Sequence, residues 1–213
     1  MRKGSARMSE TPTRHGALDG LPALQHPGVT VAPVLPGGVL NLRGRIGEAG
    51  FRDGVAEALG AAPPAAPNTV ARGRGVTLLW LGPDEWLAVA DPELTPSVEE
   101  LMARLQGMHA AVTDLGDGQT WIELAGHQAR DLLARGCPLD LHPQSFPAGR
   151  CAQTRLAQAS VLLYALDSGR LWLQVRRSMA RYLWSWLAAS LDRLEVVEAD
   201  AEPAAALQAR SAP

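Results

Sequence analysis

The sequence is poor in the residues from which most self-contained chemistry is built. It holds 2 cysteines and 5 histidines in 213 residues. No Cys-x-x-Cys pair and no His-Glu-x-x-His helix occurs, so the spacings of the common zinc sites are missing. Lysine is scarcer still: Lys3 is the only one, which excludes a Walker-type phosphate loop. The glycine series Gly44, Gly47, Gly50 lacks the Gly-x-Gly start of a dinucleotide-binding turn. No segment approaches the roughly 18 consecutive apolar residues of a membrane span. The first residues, Met1 to Arg14, are basic and polar without the apolar centre of a signal peptide, and a cytoplasmic location is expected. Charge of one sign is also lacking: 20 Lys and Arg oppose 22 Asp and Glu, a formal net charge of -2. A phosphate backbone demands clustered cations, so no nucleic-acid partner is expected.

What the chain has is a dense central stretch, Val112 to Arg155. A short apolar run, Val112 to Leu115, meets the turn Gly116-Asp117-Gly118. Thr120 to Leu124 alternates like a half-buried strand. Gln128 to Ala134 has a short helical pattern, which Gly136 is placed to close in the left-handed region. Two proline-punctuated loops then position Cys137, followed directly by Pro138, and Cys151. This unit needs a partner layer to bury its apolar side.

Elsewhere, Gly28 to Val34 reads as an edge strand, because Pro33 is tolerated there. Val39 to Ile46 reads as a strand and Phe51 to Leu59 as a helix ended by Gly60 and the Ala-Pro run that follows. Val76 to Leu81 and Trp86 to Ala90 form a hairpin. Ser97 and Glu100 make a capping-box pattern before a helix whose stripe is Val98, Leu101, Met102 and Leu105. His109 to Leu115 is the next strand. Gln153 to Ala157, Val161 to Leu166 and Leu171 to Val175 are antiparallel strands. Ser178 is placed to cap a last helix, Met179 to Leu191, and Glu195 to Val197 adds a short strand. This order predicts an α+β fold of antiparallel or mixed sheets with helices on one face, the first half close to a split βαβ pattern. Flexible tails are expected at 1–25 and 199–213. The ordered region is 26–198, with two packed subdomains, about 26–110 and 111–198, as one division.

Candidate site residues carry structural readings beside functional ones. Asp114 is placed to be a buried base or, before a glycine turn, an acceptor of backbone hydrogen bonds. Cys137 and Cys151 are small buried hydrophobes unless a base lies within reach of an exposed thiolate. Six tryptophans outnumber 2 Phe and 2 Tyr. With Trp186 on the core stripe of the last helix, Trp184 points about 160° away from it. Trp172 lies opposite Leu171 and Leu173 on its strand. Each is either an interface anchor or part of a second packed layer. Arg176, Arg177 and Arg181 would form a polar rim beside them.

At these residues the chain resembles the gamma subunit of heterotetrameric bacterial sarcosine oxidase. The resemblance is carried by LGPDEWLA (81–88), VTDLGDGQTWIEL (112–124), the segment from Gly126 to Leu163 with its GCPLDL and GRCAQTRLAQ words, and LQVRRSMARYLWSWL (173–187). It implies a fold similar to, though shorter than, the substrate domains of the folate-using aminomethyltransferases. It implies partners, the alpha, beta and delta subunits of a complex that oxidatively demethylates sarcosine to glycine. The products would be hydrogen peroxide and either formaldehyde or 5,10-methylenetetrahydrofolate. FAD, FMN and NAD would sit in the partner subunits, with tetrahydrofolate as a substrate of the complex. No catalytic, cofactor-binding or metal residue carries over to this chain. The alternatives are a free-standing folate-binding aminomethyltransferase-like protein and an α+β interaction protein with another partner.

Overall fold

The computed structural model describes residues 16–196. Its eleven strands fall into two antiparallel sheets. Residues 24–26 (β1), 29–34 (β2), 38–43 (β3), 70–73 (β4), 76–82 (β5), 85–90 (β6), 111–114 (β7), 119–125 (β8), 151–156 (β9), 159–165 (β10) and 170–176 (β11) are the strands. The helices are 49–59 (α1), 98–104 (α2), 129–134 (α3) and 180–191 (α4). One sheet has the order β4-β5-β6-β3-β7, the other β1-β2-β8-β11-β10-β9.

Period-two alternation decides what each sheet face meets. In the five-stranded sheet, Leu40, Leu42, Leu78, Trp86 and Ala88 pack with Phe51, Val55 and Leu59 of α1 and Leu101 of α2. The intervening residues Val39, Leu79, Leu87 and Val89 join Trp121, Cys151, Leu162 and Tyr164 of the other sheet. The outer face of that sheet, with Ile122, Leu124, Leu163 and Leu173, packs with Leu132 and Leu133 of α3 and Leu183 and Leu187 of α4. The result is four layers, helices–sheet–sheet–helices. It explains why β6 is buried along nearly its whole length: its two faces meet different layers.

The α+β expectation and the split βαβ reading of the first half both hold. β3, α1, β5, β6, α2 and β7 follow that order, with β4 added at the edge beside β5. β8, α3, β9, β10, β11 and α4 repeat the same path in the second sheet, where β2 takes the place that β7 has in the first. A division at 110/111 therefore cuts across both sheets. β7 belongs with β3, and the early strands β1 and β2 belong with β8. β2 is accordingly not an edge strand. β1 covers it only from Val29 to Val31, which leaves Pro33 where no second neighbour pairs.

Ordered packing also starts before residue 26. Leu18 is buried in the second-sheet core, and β1 begins at Leu24. The remainder of the expected N-terminal tail, 1–15, and the expected C-terminal tail, 199–213, lie outside the described residues. So does Val197, and Glu195 and Val196 are not in a strand.

Local chemistry accounts for two of the helix ends. The Ser97 side chain accepts from the Glu100 N–H at 3.1 Å, as the capping pattern requires. Gly60 ends α1 in the left-handed region, φ 81°, with its N–H on Ala56 O. Two expected caps are not made. Ser178 lies within a 3₁₀ turn, Arg177–Met179, that leads into α4 without a side-chain cap. Gly136 is not left-handed; α3 ends through Arg135. Its glycine serves a close approach instead, because a Cβ there would stand 2.5 Å from the Trp186 ring. Among the described residues no helix is long and apolar enough to cross a membrane.

Candidate functional site

The central stretch places its polar residues in turns rather than around a reaction centre. Asp114 ends β7, and its Oδ1 accepts from the Gly116 N–H at 2.7 Å. That is the turn-building role, and Asp114 is exposed, not a buried base. Asp140 accepts from the His142 N–H at 2.9 Å and from the Ser145 hydroxyl. The Ser145 hydrogen bond, then that from His142, holds its carboxyl below its ordinary value.

The 136–146 loop is held from beneath by a residue the sequence did not single out. Arg130 of α3 is buried, and its Nη1 donates to Leu141 O at 2.7 Å and Phe146 O at 2.9 Å. Burial lowers its pKa. Helical spacing alone does not separate such an arginine from its exposed neighbour Arg135. Pro138 is exposed on the same loop.

The two thiols are free, buried and in different layers. Cys137 belongs to the helix-side core of the second sheet and Cys151 to the cluster between the sheets. The Cys151 Sγ donates toward Thr69 O at 3.4 Å and Trp80 O at 3.5 Å. Burial pushes its pKa up to about 11, the reverse of an activated nucleophile. Among the described residues no group of three or more His, Cys, Asp or Glu converges to hold a metal.

The tryptophan expectations divide. Trp184 does not point outward: it is 6% exposed and lies in the same apolar cluster as Leu183, Leu187 and Leu191. The buried stripe of α4 runs Ala180, Leu183, Trp184, Leu187, Leu191. Counting small Ala180 as a stripe residue rotates the face by enough to take Trp184 inward and leave Tyr182 exposed. Trp186 is half-buried against the same cluster. Trp172 is also half-buried, between the sheets. Its ring lies 5.8 Å from Trp121 and 6.4 Å from Tyr164, both edge-on, and its Nε1 donates to Glu123 at 2.9 Å. Arg176, Arg177 and Arg181 are exposed, and among the described residues none of them forms an ion pair.

Where the inter-sheet layer meets solvent, a cleft of about 450 Å³ opens. Arg72, Arg74, Asp91, Tyr164, Arg170 and Trp172 line it. Arg72 comes from β4, a strand that the Ala-Arg-Gly-Arg-Gly sequence conceals because two of its five residues carry no side chain. Its Nε donates to the Tyr164 hydroxyl at 2.8 Å, Nη2 donates to the same oxygen, and its guanidinium carbon lies 5.6 Å from the ring centre. Arg170 pairs with Asp167 at 2.7 Å.

Every strand ladder among the described residues is antiparallel, so no parallel βαβ crevice for a dinucleotide is formed. The geometry supplies surfaces and a cleft rather than an assembled set of acid, base and nucleophile.

Known proteins agree with this architecture. The sarcosine oxidase, gamma subunit family (SoxG) matches residues 43–192. The sarcosine oxidase subunit gamma of Corynebacterium sp. (strain P-1) is 36% identical over 149 residues, 70% of this chain and 72% of that protein. Its counterpart from Corynebacterium sp. (strain U-96) is 30% identical over 199 residues, 91% and 95% of the two chains. Among solved structures, a chain of the heterotetrameric sarcosine oxidase of Corynebacterium sp. U-96, in complex with pyrrole 2-carboxylate, superposes with a TM-score of 0.73. The two are 32% identical over 80% of this chain and 87% of that one. Glycine cleavage system aminomethyltransferase T from Bartonella henselae shares the fold, with a TM-score of 0.58 at 15% identity, covering 75% of this chain and 45% of that one.

Proposed function

Since the chain belongs to the sarcosine oxidase gamma subunit family, we propose that it is the non-catalytic structural subunit of a heterotetrameric sarcosine oxidase. The observation that carries this reading is the agreement in both sequence and fold, over most of each chain, with the oxidase from Corynebacterium sp. U-96. The partners are the alpha, beta and delta subunits. They hold FAD, FMN and NAD, and tetrahydrofolate enters the complex as a substrate. The complex demethylates sarcosine to glycine with hydrogen peroxide and formaldehyde or methylenetetrahydrofolate as products. A cytoplasmic location goes with this reading.

The division of labour is supported by where the reactive side chains are spent. Cys151 is buried and protonated, Asp114 and Asp140 build turns, and Arg130 holds a loop. The antiparallel sheets do not offer a flavin or NAD a doubly wound crevice, so no step of the reaction is assigned to these residues. What the chain contributes is a packed four-layer body with shaped surfaces. The same unit, at 15% identity, occurs in an aminomethyltransferase, which establishes the fold alone.

The test uses the isolated full chain. It should show no flavin absorbance, take up no oxygen with sarcosine, and leave a tetrahydrofolate titration flat. Micromolar tetrahydrofolate binding by the lone chain would favour a free-standing folate protein instead.

A further inference from the structure

We infer that the cleft around Arg72, Tyr164 and Arg170 is a docking site for an acidic segment of a partner subunit. The inference rests on the gamma-subunit reading and names the surface through which that role is exercised.

The Tyr164 side chain is 2% exposed, yet its hydroxyl only accepts: both hydrogen bonds to it come from Arg72. Its own proton has no acceptor among the described residues, and a buried donor left unspent is costly. Arg72 is likewise incompletely used. It meets no carboxylate among the described residues, and its remaining bond is a long one, 3.4 Å, to Leu166 O. Among the described residues Arg74 reaches only the Glu57 carbonyl, also at 3.4 Å. Arg170 has Asp167, and Asp91 is the one carboxylate in the lining. Arg72 thus brings to the cleft a positive charge that no ion pair among the described residues balances, whereas Arg170 has Asp167, with Glu123 also acting on it.

The rest of the lining fits a peptide anchor. Trp172 and Tyr164 stand edge-on beside the apolar side chains of Val76, Val89 and Leu166. Tryptophan, tyrosine and arginine around a partly desolvated hollow are the residue types that dominate protein interfaces. An entering Asp or Glu would accept from Arg72 and from the Tyr164 O–H together, in charge-assisted bonds. It would satisfy the phenol's proton and balance Arg72 in one contact. Trp172 is then an interface residue after all, through the floor of this cleft rather than as an isolated outward ring.

The experiment compares association of the full chain with the flavin-bearing subunits for wild type, Arg72→Glu, Tyr164→Phe and, as a charge-matched control outside the cleft, Arg135→Glu. Thermal melting of each variant establishes that it is folded. Arg72→Glu should weaken association by about 10- to 100-fold. Tyr164→Phe, which removes one oxygen and keeps the ring, should weaken it by about 3- to 10-fold. Arg135→Glu should stay within about 2-fold. Raising salt from about 0.05 M to about 0.5 M should weaken wild type more than Arg72→Glu. Wild-type affinity in both cleft variants would overturn the inference. So would Arg72-dependent stabilisation of the lone chain by citrate with subunit association unchanged, since the occupant would then be a small carboxylate. If wild type itself fails to join the flavin-bearing subunits, the gamma-subunit reading fails first and the docking site falls with it.

Discussion

Replacing Trp184 by alanine separates a core residue from an interface anchor. The side chain is 6% exposed and sits in the cluster formed by α3, α4 and the outer face of the six-stranded sheet. A buried tryptophan covers about 150–250 Å², which at about 25 cal/mol per Å² is roughly 4–6 kcal/mol of transfer free energy. Partial collapse of the site brings the expected loss to about 3–5 kcal/mol, a large part of the stability of an ordinary domain. For a chain of this size, that lowers the melting temperature by about 6–20 °C. The assay is urea unfolding of the isolated full chain, followed by circular dichroism, with the midpoint and slope fitted separately. Were Trp184 an exposed anchor, its truncation would change stability by no more than about 0.5 kcal/mol while loosening subunit association. That pair of results would refute the packing assigned to α4.

Three further outcomes follow from single residues. Cys151 keeps its proton in the folded state to about pH 11, against an ordinary value of 9.0. The unfolded chain loses that proton first, so stability present below about pH 9 should fall by about 2–3 kcal/mol as pH rises to about 11. Urea midpoints across this range should show the fall in wild type and a smaller one in Cys151→Ala. Gly136→Ala forces a methyl against the Trp186 ring and should cost about 1–3 kcal/mol, read in the same unfolding assay. An unchanged midpoint would mean that α4 shifts freely. Ser97→Ala removes the cap of α2 and should cost about 1 kcal/mol, while Ser178→Ala, which caps nothing, should cost far less.

The strands that the sequence reveals are those whose two faces differ. Leu171, Leu173 and Val175 alternate with Trp172 and Gln174, and β11 is where the alternation puts it. The Ser97 cap is equally legible, because one hydroxyl at one spacing satisfies one N–H. β4 is hidden, since Ala71 and Gly73 leave it little apolar signal and its pairing with β5 comes from long-range context. The exchange of β2 into the second sheet is hidden for a related reason. Strand periodicity states which side chains share a face, but not which distant strand lies beside them. The inward turn of Trp184 is hidden because Ala180 carries little apolar weight, so the large residues alone place the stripe of α4 elsewhere. Arg72 and Tyr164 are 92 residues apart, and no local pattern joins them.

We propose that this chain gives form to a flavin oxidase and performs none of its chemistry. An affinity tag on the full chain, followed by recovery from its host, tests this most directly. The account predicts that flavin-bearing subunits come down in equal stoichiometry, with all flavin and all sarcosine-dependent oxygen uptake in the assembled fraction. A chain recovered alone that retains folate or flavin and turns over sarcosine would contradict it.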